Sequence, residues 1–143
     1  VGITTLNLES RTILAKYSIP IKVDFEISPE ICDLTGWTNQ KLNKCGVDLI
    51  EAKRRVEKYC PPGRLIIMDQ DDEAPYIERS LNMRLGISRL NVSTLYRILN
   101  NQLEASLSLE DMLKYYGLTF IGRQHKADHD SYNIARLFLE VVK

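Results

Sequence analysis

The segment "GRQHKADHDSYNIARLF", residues 122–138, places four ionisable side chains directly before a pattern typical of a buried helix. Its apolar residues Ile134, Leu137 and Phe138 recur at the spacing of one helix face and predict a stripe that faces the core. Asp130 lies four residues before Ile134 and extends this stripe by one turn. An isolated carboxylate is costly to bury unless it is paired or bound to a metal ion. The segment therefore predicts a terminal helix with an unusual carboxylate in its first turn.

Two other roles are open for these ionisable residues. Asp128 or Asp130 can cap the helix and interact with the positive end of its dipole. His125 is also explained as a solvated loop residue. The spacing of His125 and His129 matches a pair of zinc ligands, but no third ligand follows at a recognisable distance, so we do not predict a zinc site.

A second acidic segment, "MDQDDEAPY", follows a short apolar run, Leu65–Met68. This run predicts a strand of the kind that is buried in a parallel sheet. Open α/β sheets bind ligands at the carboxyl ends of their strands. A solvated acidic turn is the alternative. Because both acidic segments end elements that point to one sheet edge, we expect a shared site for a hard cation such as Mg²⁺ or Mn²⁺.

The rest of the chain alternates predicted strands and helices. Two β-rich runs separated by a polar break at Ser10 predict an antiparallel hairpin. A further strand is expected around Leu90–Val92, and "LTGWTNQKL" is expected to be a turn. Ser28 is expected to cap one helix, and Ser108 and Asp111 have the spacing of a capping box. Caps and apolar spacing predict helices in "SPEICDL", "VDLIEAKRRVEKY", "APYIERSL", "STLYRIL" and "SLSLEDMLKYYG". This order predicts an α/β fold with helices on both faces of a sheet.

Composition is that of an ordinary globular domain. The 143 residues, 44% of them hydrophobic and 27% charged, fit one domain over residues 1–143. Because no membrane-spanning run or signal peptide is found, we predict an intracellular protein, cytoplasmic or nuclear, that is not secreted and has no membrane partner. Cys32, Cys45 and Cys60 are expected to be free or buried thiols. With 19 basic and 19 acidic residues, any nucleic acid must be bound locally.

The motif "HKADHDSYNIARLF", after "SLEDMLKYYG" and "GLTFIGRQ", resembles the third motif of the DEDDh 3′–5′ exonucleases. That family includes polymerase proofreading subunits and histone-mRNA exonucleases. "FEISPEICDLTGWT" resembles the stretch before its first long helix, and "RLIIMDQDDEAPYIERSL" occupies the place of its second motif. The resemblance implies a ribonuclease H-like fold with a mixed five-stranded sheet. It also implies that His125, Asp130 and Asp72 are catalytic, with Asp71 and Asp69 as alternatives to Asp72.

The first motif of this family, Asp-x-Glu on the first strand, has no good match here. Asn7, Leu8 and Glu9 imitate it, but too few residues follow them for the two strands that the family places next. The segment "VGITTLNLES" instead resembles the second strand. The resemblance therefore implies that the first, central strand is missing and that a preceding segment carries the Asp-x-Glu pair.

The resemblance implies a metal-dependent 3′–5′ exonuclease that acts on the single-stranded 3′ end of RNA or DNA. Two Mg²⁺ or Mn²⁺ ions would be held by Asp72, Asp130 and the upstream acids, and His125 would be the general base. The candidates for nucleic-acid binding are Trp37, Tyr76, Arg123 and Lys126. The run of basic residues 53–55 is a weaker candidate for strand contact, because such a run is usually a solvated helix face. The alternative function is a catalytically inactive module that binds RNA or a protein partner.

Overall fold

The chain folds into seven helices and four strands within the residues that the structure describes. The structure is a computed structural model and describes residues 1–86 and 88–143. In chain order the elements are β1 (Gly2–Asn7), β2 (Thr12–Ser18), α1 (Pro29–Thr35), α2 (Asn39–Cys45), α3 (Leu49–Tyr59), β3 (Leu65–Met68), α4 (Glu73–Leu81), β4 (Ser88–Asn91), α5 (Val92–Leu99), α6 (Leu109–Tyr115) and α7 (Ala127–Val141). The predicted α/β class is confirmed.

The four strands form two separate sheets of two strands each. β1 and β2 pair antiparallel, which confirms the predicted hairpin, and their register shifts between Thr5 and Leu6. β3 pairs with β4 in parallel, as the apolar run at Leu65–Met68 predicts. In the described part of the chain β1 and β3 are not paired with each other. The expected five-stranded sheet is therefore not confirmed.

Helix α7 joins the two sheets, because it packs against β1, β2 and β3. Its apolar stripe is buried as predicted, and Leu137 is fully inaccessible. The hydroxyls of Thr4 on β1 and Ser131 on α7 share a hydrogen bond of 2.9 Å. The core cluster around this stripe consists of Val92, Tyr96, Met112, Leu113, Ile134, Leu137, Phe138 and Val141. The C-terminal helix thus lies at the centre of the molecule.

A second core cluster lies around α3 and α4 and includes Ala52, Val56 and Leu81. β1 and β3 each contribute to both clusters. Ile3 and Ile66 pack against the second cluster, whereas Leu6 and Ile67 pack against the first. The two sheets therefore lie in one layer between the same two cores.

Local capping explains where several helices begin. The side chain of Ser28 accepts a hydrogen bond from Ile31 N–H, and Ser108 forms a capping box with Asp111; both caps were predicted. The prediction of a turn in "LTGWTNQKL" is wrong in its second half. There Thr38 caps α2, its hydroxyl accepting a hydrogen bond from a backbone N–H at 3.2 Å.

The three cysteines are free, as expected. Among the helices in the described ranges, none is both long enough and apolar enough to cross a membrane.

Candidate active site

Asp130 is a partly buried carboxylate in the first turn of α7. Its Oδ1 atom accepts a hydrogen bond from the backbone N–H of His125 at 3.1 Å. Burial raises the pKa of Asp130, the hydrogen bond and the charges of His125 and His129 oppose this, and the charge of Asp69 adds to it. The helix begins after Lys126 without a side-chain cap, so Asp130 is not the capping residue. Its carboxylate is instead held in a poorly hydrated place beside another acid, as is common at functional sites.

His125 lies in the loop before α7 and has a left-handed backbone conformation, with φ of 63°. This conformation is uncommon for a residue that has a Cβ atom. The hydrogen bond to Asp130 fixes the peptide group of His125, while the residue as a whole is exposed. The loop therefore places His125 at the surface, with its peptide N–H against the Asp130 carboxylate.

The fully buried side chain of Asn133 fastens this loop to α7. Asn133 Oδ1 accepts the N–H of Ile121 at 3.0 Å, and its Nδ2 donates to the carbonyls of Ile121 and His129 at 2.9 and 2.8 Å. His129 adds a second link, because its Nδ1 accepts the N–H of Arg123 at 2.7 Å. Asn133 was not among the residues predicted from the sequence. A polar residue directly before Ile134, on the buried side of the helix, was the available signal.

Asp69 and Glu73 form a second acidic group where β3 ends. Asp69 directly follows β3, and its Oδ1 accepts a hydrogen bond from the hydroxyl of the buried Ser93. The N–H of Asp69 donates to Glu73 Oε2 at 3.3 Å. Burial is the main cause that raises the pKa of Glu73, and the neighbouring charge of Asp69 contributes. The sequence analysis did not single out Glu73, because three aspartates stand closer to the strand.

The predicted acids Asp71 and Asp72 are exposed in the same turn. Asp71 accepts a hydrogen bond from the side chain of Asn91 at 2.9 Å, and Asp72 precedes α4 without capping it. The charge of Asp69 is among the causes that raise the pKa of Asp130. In the described part of the chain, no three acidic, histidine or cysteine side chains lie close enough together to hold a metal ion. The pairing of Asp72 with Asp130 therefore stays a prediction.

These donors fit a hard cation in kind. Asp69, Glu73 and Asp130 offer carboxylate oxygens, the ligands that Mg²⁺ and Mn²⁺ prefer. The raised pKa values of Glu73 and Asp130 show that each charge is poorly solvated and lies near a like charge, which a bound cation would compensate. Their arrangement does not yet form a complete site, because no three possible ligands lie close together in the described residues.

Three of the four residues predicted to bind nucleic acid line one cavity. Trp37, Arg123 and Lys126 surround a space of about 340 Å³. The Lys126 ammonium lies 5.5 Å from the centroid of the Trp37 ring. It therefore covers one of the two ring faces on which a base can stack. Tyr76 does not line this cavity and lies on α4, where it is 67% exposed.

The basic run on α3 is engaged within the protein. Arg54 and Arg55 both donate to the Glu51 carboxylate, and Lys53 donates to the backbone carbonyl of Asn82. These contacts favour a solvated helix face over a strand contact.

The overall fold is that of the DEDDh-family 3′-exonucleases. The nuclease domain of 3′hExo, described as a DEDDh family member bound to rAMP, matches 99% of the chain with a TM-score of 0.79 and 17% identity. A full-length 3′-exonuclease matches with a TM-score of 0.78 at 16% identity, and cell-death related nuclease 4 (CRN-4) with 0.73 at 18%. The chain spans 51% of the full-length 3′-exonuclease, 78% of the 3′hExo domain and 55% of CRN-4.

No protein-family model and no curated protein sequence matches the chain. At 16–18% identity, the structural likeness establishes the fold and leaves the activity to be argued from the site.

Proposed function

We propose that the chain carries the active site of a metal-dependent 3′–5′ exonuclease, which hydrolyses the terminal phosphodiester of DNA or RNA and releases nucleoside monophosphates. The observation that best supports this proposal is the link between His125 and Asp130 at the start of α7, with the charge of Asp69 acting on the same carboxylate. The link occurs on a chain whose fold is that of known 3′-exonucleases.

The proposed metal ligands are Asp130 and the acids at the end of β3. Among those acids, Asp69 and Glu73 are favoured over Asp72, because the charge of Asp69 acts on Asp130 and because Glu73 is partly buried whereas Asp72 is exposed. When bound, Mg²⁺ or Mn²⁺ would lower the pKa of a coordinated water and compensate charge on the phosphate. The raised pKa values of Asp130 and Glu73 imply that protons compete for these oxygens at a higher pH than for ordinary carboxylates.

His125 is the proposed general base. Imidazole is the side chain best suited to accept a proton near neutral pH, and His125 is accessible from solvent. It takes a proton from the attacking water as the new oxygen–phosphorus bond forms. The bond from phosphorus to the 3′ oxygen of the remaining strand breaks, and that oxygen is protonated to a hydroxyl. Asp130 keeps the His125 peptide in place.

We propose that the remaining carboxylates come from an extended segment between β1 and β3. In the described residues each of these strands is paired along one edge only, and both pack against α7. An added strand would satisfy both open edges. It would also carry the Asp-x-Glu pair that the family resemblance implies.

The proposal is tested with a 5′-labelled single-stranded oligonucleotide and Mn²⁺. We expect stepwise shortening from the 3′ end, which His125→Ala slows by about 10²–10⁴-fold and Asp130→Asn abolishes. Asp24→Asn, which changes an exposed carboxylate, is the matched control and should be as active as wild type. Hydrolysis that persists in excess chelator, or normal hydrolysis by the Asp130 variant, would contradict the proposal.

A second candidate function is a binding module without catalysis. The observation that favours it is the lack, in ranges 1–86 and 88–143, of three side chains grouped to hold a metal ion. Oligonucleotide binding with no release of mononucleotides in either Mg²⁺ or Mn²⁺ would support this candidate.

A further inference from the structure

The cavity beside the candidate site is a basic pocket, defined here by Trp37, Lys41, Lys44, Arg123 and Lys126. It has a volume of about 340 Å³ and forms where α1, α2 and the loop before α7 meet. Lys41 and Lys44 lie on α2, a helix that the sequence analysis did not predict. The pocket therefore combines two cations next to His125 with two from a distant part of the chain.

The basic pocket has a local excess of positive charge, which the chain as a whole lacks. The net charge of the protein is zero, with 19 basic and 19 acidic residues. Four of the basic residues line this one pocket, whereas no Asp or Glu does. The ion pairs found between described residues involve none of the four. The pocket is thus a local anion site of the kind that a neutral protein needs to bind a polyanion.

Neutral partners hold three of these cations in place. Lys41 Nζ donates to the Gly36 carbonyl at 2.9 Å, and the Arg123 guanidinium donates to the Asp33 carbonyl. Lys126 lies over the Trp37 ring. Carbonyls and an indole fix the positions of the cations without cancelling their charge. Lysine and arginine have further N–H donors that remain available for phosphate oxygens.

We propose that the basic pocket binds backbone phosphates of a single-stranded nucleic acid upstream of its 3′ end, with Lys41 and Lys44 as phosphate-binding residues. The direction of the strand rests on the proposed function. If the terminal phosphodiester lies at His125, the rest of the strand must leave the site, and Arg123 and Lys126 flank His125 on that loop. Binding itself needs no hydrolysis.

The test uses Trp37, the only tryptophan in the protein, as a reporter inside the basic pocket. An oligothymidylate of about ten nucleotides, titrated in EDTA, should change the Trp37 emission and saturate. The Lys41→Ala/Lys44→Ala variant should bind this strand about 25-fold more weakly at about 0.1 M salt, or about fivefold per lysine. The slope of log K against log salt should fall by about 1.4, because each phosphate contact on a single strand contributes about 0.7.

The matched control is Lys58→Ala/Lys114→Ala, which removes the same charge from helices outside the pocket. Its affinity and salt slope should equal those of wild type. An unchanged affinity of the Lys41/Lys44 variant would overturn the inference, as would an equal loss in the control. Titrations with inorganic phosphate and with thymidine monophosphate test whether the pocket binds a nucleic-acid strand or only a free anion. If either binds as tightly as the oligonucleotide, the pocket does not follow a strand.

Binding and hydrolysis are measured in separate experiments, so the two proposals can fail independently. If Lys41 and Lys44 control oligonucleotide binding in EDTA and no hydrolysis occurs with Mn²⁺, the basic pocket stands and the proposed function fails. If Mn²⁺-dependent hydrolysis is found and the Lys41/Lys44 variant binds as wild type does, the proposed function stands and the basic pocket fails.

Discussion

At the scale of single residues, the carboxylate of Asp130 combines a stability cost with a proposed function. Burial raises its pKa, and the nearby charge of Asp69 acts in the same direction. An ionised group whose folded-state pKa is raised opposes folding at pH values above that pKa. Such a residue is expected where function has been favoured over stability.

We predict that Asp130→Asn stabilises the fold at neutral pH while it abolishes hydrolysis. The amide oxygen can still accept the His125 N–H, whereas the buried charge is gone. Because Asp130 is only partly buried, the gain should be about 0.5–1 kcal/mol, or about 2–4 °C in Tm.

The pH dependence of this gain has a defined sign. As pH falls, wild-type Asp130 is protonated at a higher pH in the folded chain than in the unfolded chain, so wild type recovers stability over that interval. The advantage of the variant should shrink as the pH falls through the raised folded-state pKa of Asp130 and vanish below its unfolded-state pKa. Thermal melts of both proteins and of Asp24→Asn measure it. An advantage that grows on acidification would contradict the assignment.

Gly122 is a second residue on which the candidate site depends. Its φ is +91°, and an added Cβ would lie 2.5 Å from His129 Nδ1, the atom that accepts the Arg123 N–H. We expect Gly122→Ala to cost about 2–4 kcal/mol, from backbone strain plus the loss of this hydrogen bond. Gly117→Ala is the control, because Gly117 has φ +72° and open space around it, so strain alone should cost about 1–2 kcal/mol. Equal urea-unfolding losses would show that the contact with His129 is unimportant.

The sequence predicted some of the candidate site because part of it is local. His125 and Asp130 are five residues apart, and a loop followed by a helix brings them together directly. The acids of the other segment depend on how β3 and α4 are placed relative to α7, which spacing along the chain does not determine. The choice of Asp72 among these acids therefore stays a prediction, and the charge of Asp69 also acts on Asp130.

At the scale of elements, Asn133 makes the loop before α7 a fixed extension of that helix. We predict that Asn133→Ala costs about 1–3 kcal/mol, because it removes a fully buried amide that bonds both the N–H and the carbonyl of Ile121. Urea unfolding measures the loss, and hydrogen exchange at the Ile121 amide should accelerate. Asn43→Ala on the exposed side of α2 should stay within about 0.5 kcal/mol of wild type. A similarly small effect at Asn133 would mean that the loop is held by other contacts.

Helix starts were predictable where a cap is encoded within four residues. Ser28 and Ser108 were recognised because each is followed by residues that favour the first turn of a helix. The start of α2 at Thr38 was missed because the preceding glycine is a strong turn signal and the helix has seven residues. Its one buried residue, Leu42, gives no periodic apolar pattern to detect.

At the scale of the whole molecule, two sheets share two cores without a hydrogen bond between β1 and β3 in the described residues. The apolar run Leu65–Met68 predicted a strand of a parallel sheet, and β3 is one. This run could not predict how the strands are divided between sheets, since pairing depends on edges brought together from distant parts of the chain.

Stability should be unevenly distributed over the molecule. α1 has no buried residue, whereas α7 has seven. We predict that amides in α1 exchange with solvent at least about 100-fold faster than those in the middle of α7, through local opening. Hydrogen–deuterium exchange read by mass spectrometry measures this difference. Equal protection of both helices would show that α1 opens only when the whole domain unfolds.

A saturating oligothymidylate should slow exchange in α1 if the basic pocket is occupied, since the Arg123 guanidinium bonds the Asp33 carbonyl.

The hydrogen bond between Thr4 and Ser131 spans 127 positions and ties the first strand to the last helix. During translation, the β1–β2 hairpin leaves the ribosome long before α7 has been made. Until then the first core cluster cannot close, because α7 supplies half of it, whereas the residues of the second cluster all precede α7. The apolar residues of the first cluster that precede α7 must therefore stay exposed until α7 is made, and such dependence on long-range contacts leaves a folding chain open to aggregation.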